Sequence, residues 1–293
     1  MRRVCAKIVG GTVLAMVLAT LLAACATSTP NIAERINALL PADVILLGEQ
    51  HDAPDHQRIH RDVITHLAER GALAAVAIEM ADQGSSTATL NANASEDQVR
   101  TALNWRQQAW NWSAYGPAIM TAVRAGVPVL GANLPRPAMG EAMRNPRFDM
   151  LLSGPALKAQ QQLIRSGHCD LLPESQIQPM TRVQLARDVA MAQTLASAVV
   201  PGKTVLLLAG SGHADRALGV PQHLPQSLKS KSVLLLADRA QPATEKVASF
   251  DTVWATLPAP VKDYCAEFKA QRASQSGRST PTPDPAPSAA QNQ

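Results

Sequence analysis

The chain has 293 residues, 46% of them hydrophobic and 17% charged, which is a globular rather than a disordered composition. Its formal charge is +4, and removing Arg2, Arg3 and Lys7 with a leader brings it to +1. A near-neutral body without a basic run excludes nucleic acid as a partner.

Residues 1–24 read as a secretion signal: a basic start, then the apolar run Ile8 to Ala24 ending in small residues. The run closes on Leu22-Ala23-Ala24-Cys25, which resembles the bacterial lipobox. That resemblance implies cleavage before Cys25 and lipidation of its sulfur and amine; an uncleaved membrane anchor is the alternative. Residues 25–40 are then a lipidated N-terminus and tether. Ala26 and Thr27 replace the aspartate of an inner-membrane retention signal, so the expected address is the outer membrane, facing the periplasm. With Cys5 in the leader and Cys25 lipidated, Cys169 and Cys265 remain. An oxidising compartment makes a disulfide between them the expectation, with unpaired thiols or a thiolate ligand as alternatives.

The body is read as one domain over residues 41–268. Continuous apolar runs predict strands at Val44–Leu47, Ala75–Ile78, Val127–Leu130, Thr204–Ala209 and Ser232–Ala237. Such runs, rather than alternating ones, are what a sheet covered on both faces requires. Helices are predicted at Asp55–Arg70, where Ile59, Val63, Ile64 and Leu67 share a face, and at Tyr115–Ala125. Between 135 and 200 the strand signal gives way to helical patterns, an inserted helical subdomain with Gln184–Val199 as its clearest helix. The fold class is therefore α/β, a mainly parallel central sheet flanked by helices. Residues 269–293, rich in Ser, Pro and Ala, read as a disordered tail.

Four predicted strands end in residues that a core would not select. They are Glu49-Gln50-His51-Asp52, Glu79, Asn133 with Arg136, and Gly210-Ser211-Gly212-His213. Carboxyl ends of parallel strands share one edge, where ligands bind, so these clusters should converge. Glu49 has a second use as a cap for the following helix. His56 and His60 have the i, i+4 spacing of zinc ligands, but their face also carries Val63 and Leu67, as in a helix–sheet contact. The glycine-rich stretch at 210–212 lacks the following lysine and threonine of a nucleotide loop.

Taken in order, Leu47-Gly48-Glu49-Gln50-His51-Asp52, Ala77-Ile78-Glu79-Met80, Trp112-Ser113-Ala114-Tyr115-Gly116-Pro117, Gly131-Ala132-Asn133-Leu134-Pro135-Arg136, His168-Cys169 and Gly212-His213-Ala214 resemble the ChaN-like haem-binding lipoproteins. These proteins share a superfamily with Tiki-type proteases and erythromycin-esterase-like enzymes. The resemblance implies an α/β/α sandwich with a helical insert, haem as cofactor, a role in haem or iron uptake, and a homodimer holding haem between its subunits. It also implies a tyrosine ligand, for which Tyr115 is the candidate, with His168 as substitute and Arg136 (beside Arg144 and Arg147) for the propionates. Trp105, Trp110, Trp112, Met139, Met143 and Met150 are candidate walls of the slot. The runner-up is a hydrolase using Glu49, His51, Glu79 and His213, with a histidine as general base or with Glu49, His51 and His213 holding a divalent metal.

Overall fold

The computed structural model describes residues 31–237 and 248–276. The leader, Cys25 and the proline-rich end of the tail lie outside them. In chain order the elements are α1 (Ile32–Asn37), β1 (Val44–Glu49), α2 (Pro54–Glu69), β2 (Leu73–Asp82), α3 (Glu96–Ala102), α4 (Trp112–Arg124) and β3 (Val129–Asn133). There follow α5 (Met139–Arg144), α6 (Gly154–Gly167), α7 (Glu174–Ala198), β4 (Thr204–Gly210), α8 (Ser211–Ala214), β5 (Ser230–Leu236), β6 (Thr252–Ala255) and α9 (Tyr264–Ser276).

The strands form one sheet in the order β3-β2-β4-β1-β5-β6, and every neighbouring pair is parallel. The α/β expectation is met, and all five predicted strands are present. β6 is the strand that the sequence reading lacked: four residues on the sheet edge, with Trp254 its one buried side chain. The helix through the second cysteine also departs from expectation, because α9 continues through Ser276 where a disordered tail was expected from 269.

Alternation along the strands divides the core. Ile45, Leu47, Val76, Ile78, Leu206, Leu208, Val233 and Leu235 face one layer, packing on Ile59, Val63, Ile64 and Leu67 of α2 and Ile119 of α4. Val44, Leu46, Ala75, Ala77, Val205, Leu207 and Ala209 face the other, against Met191, Ala192 and Leu195 of α7. The alanines on that second face let α7 lie close to the sheet. A third cluster joins the outer side of α7, through Val183, Leu185 and Ala186, to Ala142 of α5, Phe148 and Leu152. Buried on both sides, α7 is an internal helix rather than an amphipathic one. Its Pro179 sits in the first turns, ahead of this doubly packed stretch.

Between β3 and β4 every regular element is helical, in the segment predicted as the insert. Cys169, just past α6, is bonded to Cys265 in α9, so the chain's last described helix is tied to the insert.

Candidate functional site at the carboxyl edge of the sheet

Strand parity decides where each polar end points. Glu49 continues the Ile45 and Leu47 face and enters the α2–α4 layer, where Tyr115 of α4 donates to its Oε1 at 2.7 Å. Glu79 follows Ala75 and Ala77 onto the α7 face, where its Oε1 lies 3.5 Å from His213 Nε2. The two carboxylates thus leave the sheet on opposite faces. His51, in the loop after β1, spans them, with Nδ1 2.7 Å from Glu49 Oε1 and Nε2 3.6 Å from Glu79 Oε2.

The chain of charges continues on the far side. His213 Nδ1 lies 2.5 Å from Asp188 Oδ1, and the side-chain amide of Gln184 is 3.2 Å from the same ring nitrogen. The Gly210 N–H donates to Glu79 Oε2 at 2.7 Å, and Asn133 Nδ2 donates to the Glu79 carbonyl at 2.9 Å. Carboxylates and imidazoles therefore alternate, Glu49–His51–Glu79–His213–Asp188, along the rim. The ring of His51 is 39% exposed, whereas the other four side chains are buried. Gly48 makes this packing possible: a Cβ there would come within 3.0 Å of Ser211 Cα and Ala214 Cβ, so β1 and the His213-bearing turn touch backbone to backbone.

These contacts set the protonation states. Burial alone would lower His213, but Glu79 and Asp188 outweigh it and hold the imidazolium, raised to about 10. Burial raises Asp188 to about 6, against the pull of His213. Glu79 moves down despite burial, because His213, His51 and the Gly210 amide favour its charged form. Burial likewise works against the charged forms of His51 and Glu49. The Glu49 hydrogen bond and the Glu79 charge nonetheless raise His51, while His60, His51 and Tyr115 lower Glu49. The two carboxylates thus favour the imidazolium form of His213, in which neither ring nitrogen keeps a lone pair.

Arrangement also argues against the metal reading. Among the described residues no group of three or more His, Cys, Asp or Glu side chains is placed to hold a metal ion. Glu49, His51 and His213 share the rim, yet the Nδ1 atoms of both histidines face carboxylates, and the two glutamates diverge across the sheet. His56 and His60 serve the helix–sheet contact. His56 accepts from the Gln50 N–H and pairs with Thr256, and burial lowers it to about 4. His60 lies wholly buried 3.7 Å from Glu49 Oε2. Glu49 caps nothing: α2 starts with Pro54 behind Ala53, with no side-chain cap.

Tyr115 is buried, and its hydroxyl donates to Glu49 beside the partly exposed His51. Trp105, Trp110 and Trp112 pack around it in the core, with Trp110 edge-on to His51 at 4.9 Å. Met139 and Met143 pack against the third cluster, Met150 is exposed, Arg147 lies over the Phe148 ring and Arg136 is exposed at the head of a short 3-10 turn.

His168 is placed differently. It borders a cleft of about 900 Å³ between α6 and the sheet edge, with Ala159, Leu163 and Ile164 on the α6 wall. Ala217 and Leu218 face them, while Gln184, Ser211 and Gly212 bring the floor up to the His213 cluster. Sequence reasoning missed Asp188 and Gln184. The one available signal was a lone acid in the helix predicted from 184 to 199.

Comparison with known proteins agrees with this architecture. Residues 35–224 match the family described as haem-binding uptake, Tiki superfamily, ChaN. A solved structure of ChaN of Campylobacter jejuni, described by its cofacial haem binding, is 27% identical with a TM-score of 0.62, covering 75% of this chain and 89% of that one. The type III effector HopBA1 is 15% identical with a TM-score of 0.44, covering 76% of this chain and 91% of that one, a likeness too slight to argue from. No curated protein matches. The match over most of the described body shows that the chain belongs to the ChaN family of haem-binding uptake proteins within the Tiki superfamily.

Proposed function

We propose that this chain binds haem in the cleft beside α6 and carries it in haem or iron uptake. One observation carries the reading: a mainly apolar cleft of about 900 Å³ with an imidazole on its rim. Cofactor clefts of about 300–1,000 Å³ are typically apolar with a few placed polar groups, which matches this wall. A porphyrin needs such a surface and an axial donor. Family membership and the cofacial haem of the Campylobacter jejuni relative support the same choice. None of the lining residues is lysine or arginine, so the cleft wall supplies no cation for the propionates. Haem would contribute its iron as cargo; the chain's part is to hold and shield it. A homodimer facing haem to haem, lipid attachment at Cys25 and an outer-membrane address complete the proposal, on the strength of the lipobox-like tetrapeptide and the family. Titrating hemin into the purified protein should give a saturable Soret change, and an unsaturable, linear response would overturn the reading.

The runner-up keeps one specific support, the partly exposed ring of His51 between two carboxylates. Raised by those neighbours, His51 suits a general acid better than a base. A panel of ester and peptide substrates, run with and without EDTA, is expected to show no turnover above the uncatalysed rate. Turnover that disappears in both His51→Ala and His213→Ala would establish the hydrolase instead.

A further inference from the structure

We propose that residues 257–261, Leu-Pro-Ala-Pro-Val, are a preformed polyproline-II ligand that docks in an aromatic-lined groove of a partner protein. The segment links β6 to α9 and lies beyond residues 35–224, which carry the family match, so it is independent of the haem reading.

Covalent chemistry sets its shape. Pro258 and Pro260 have φ fixed at about −65°, and each pushes the residue before it, Leu257 and Ala259, into extended or polyproline-II backbone. Four consecutive residues are thereby restricted without help from the rest of the fold. Polyproline II has three residues per turn, and exposure along the segment follows that period. Thr256 and Ala259 are half-buried, whereas Leu257, Pro258, Pro260 and Val261 are exposed, Leu257 to 66% and Val261 fully. Lys262, three residues after Ala259, reaches back to Asp52 Oδ2 at 3.7 Å. Residues 256, 259 and 262 therefore form the edge turned to the body. Leu257 with Pro260, and Pro258 with Val261, form two outward edges, each joining one proline to one aliphatic side chain.

The segment is held at both ends. The Leu257 N–H donates to Asp55 Oδ2 at 3.0 Å, while the Tyr264 hydroxyl donates to Asp52 and Cys265 is bonded to Cys169. A proline-rich spacer needs no such anchoring. Anchoring also removes much of the ordering cost that a free peptide meets on binding.

The shape selects the partner. Neither proline has an N–H to give, which disfavours pairing with a partner's edge strand. Two apolar edges on a rod of three residues per turn instead fit the grooves, walled by aromatic rings, that read proline-rich segments. Asp52 directly follows His51, so a partner seated here lies beside the exposed ring of the rim.

The test replaces exposed Ala255 with the photo-crosslinking residue p-benzoylphenylalanine in the full chain, irradiates it in an extract of its native cells, and maps adducts by mass spectrometry. A discrete partner adduct is expected, crosslinked at a site beside tryptophan or tyrosine. Excess synthetic peptide with the sequence of residues 256–262 should suppress it, and a scrambled peptide should not. Leu257→Asp/Val261→Asp should lower its yield about tenfold or more, and Pro258→Ala/Pro260→Ala several-fold. All four positions are exposed, so both double variants should melt with the wild type. Peptide competition needs no variant and keeps the test decisive if either one folds poorly. No partner adduct, or one that survives both the competing peptide and Leu257→Asp/Val261→Asp, would overturn the proposal and leave the segment a linker. Crosslinking to a second copy of this chain would also overturn it, by making the surface a self-association face. An adduct mapped away from any aromatic residue would overturn the groove chemistry.

Discussion

Asp188→Ala is expected to destabilise the fold by about 3–5 kcal/mol, the usual cost of leaving half of a buried ion pair uncompensated. Asp188 and His213 are both buried, and their 2.5 Å contact is short and charge-assisted. Deleting the carboxylate leaves His213 with Glu79 as its remaining anionic partner, at 3.5 Å. The pH dependence follows from the sign of the His213 shift. Because the folded value is raised from 6.5 to about 10, its stabilisation is fully present below about 6.5 and is lost as the pH rises through 10. Glu79, shifted downward from 4.5, acts in the opposite sense: its contribution is present above that value and is lost as the medium becomes more acid. Asp188, raised to about 6, resembles His213 in sign, so its preference for the protonated form is spent between about 4 and 6. Melting temperature should therefore fall between about pH 6.5 and 10, and in Asp188→Ala that fall should be smaller and end at lower pH. A nuclear magnetic resonance titration of the His213 ring checks the cause directly. An imidazole that loses its proton near pH 6.5 in the wild-type protein would contradict the assignment.

Gly131→Ala should cost about 3 kcal/mol, at the upper end for overpacking, because the obstacle is backbone. A Cβ at Gly131 would lie 2.1 Å from the Asp82 carbonyl oxygen and 2.3 Å from Ser85 Oγ. The β2–β3 pairing shifts register between Ile78 and Asp82, and the chain there folds back so that the Gly131 N–H donates to the Ser85 carbonyl. Making room would displace this segment, and with it Asn133, whose amide holds the Glu79 carbonyl. At about 2–4 °C per kcal/mol for a domain of this size, the melting temperature should drop by roughly 6–12 °C. Gly154→Ala, where an added Cβ meets nothing within 4 Å, serves as the control and should melt with the wild type.

The five strands were legible because each is buried on both faces and reads as an unbroken apolar run. Val44-Ile45-Leu46-Leu47 and Thr204-Val205-Leu206-Leu207-Leu208-Ala209 need no alternation when helices cover both sides of the sheet. β6 escaped because a short edge strand such as Thr252-Val253-Trp254-Ala255 pairs on one side only and carries no such run. The start of α7 escaped for another reason: of residues 174–183 only Ile177, Thr181 and Val183 are buried and Pro179 interrupts them, so no apolar stripe marks that stretch.

The amino-acid sequence by itself determined that polar residues follow the apolar strands, and parallel pairing then obliges Glu49, Glu79, Asn133 and His213 to meet at one edge. Which neighbour each of them meets was decided by tertiary structure. The face on which a strand-end side chain emerges depends on residue parity and on the register shift in β2, and these send Glu49 to Tyr115 and Glu79 to His213. Asp188 in the middle of α7 looks like a solvated charge until that helix is enclosed on both sides, which turns it toward His213. His168 likewise becomes a cleft residue only once α6 lies beside the sheet edge and a crosslink across 96 residues pins the turn after it. Contacts of this kind depend on how separate elements pack, and no local pattern of residue types encodes them.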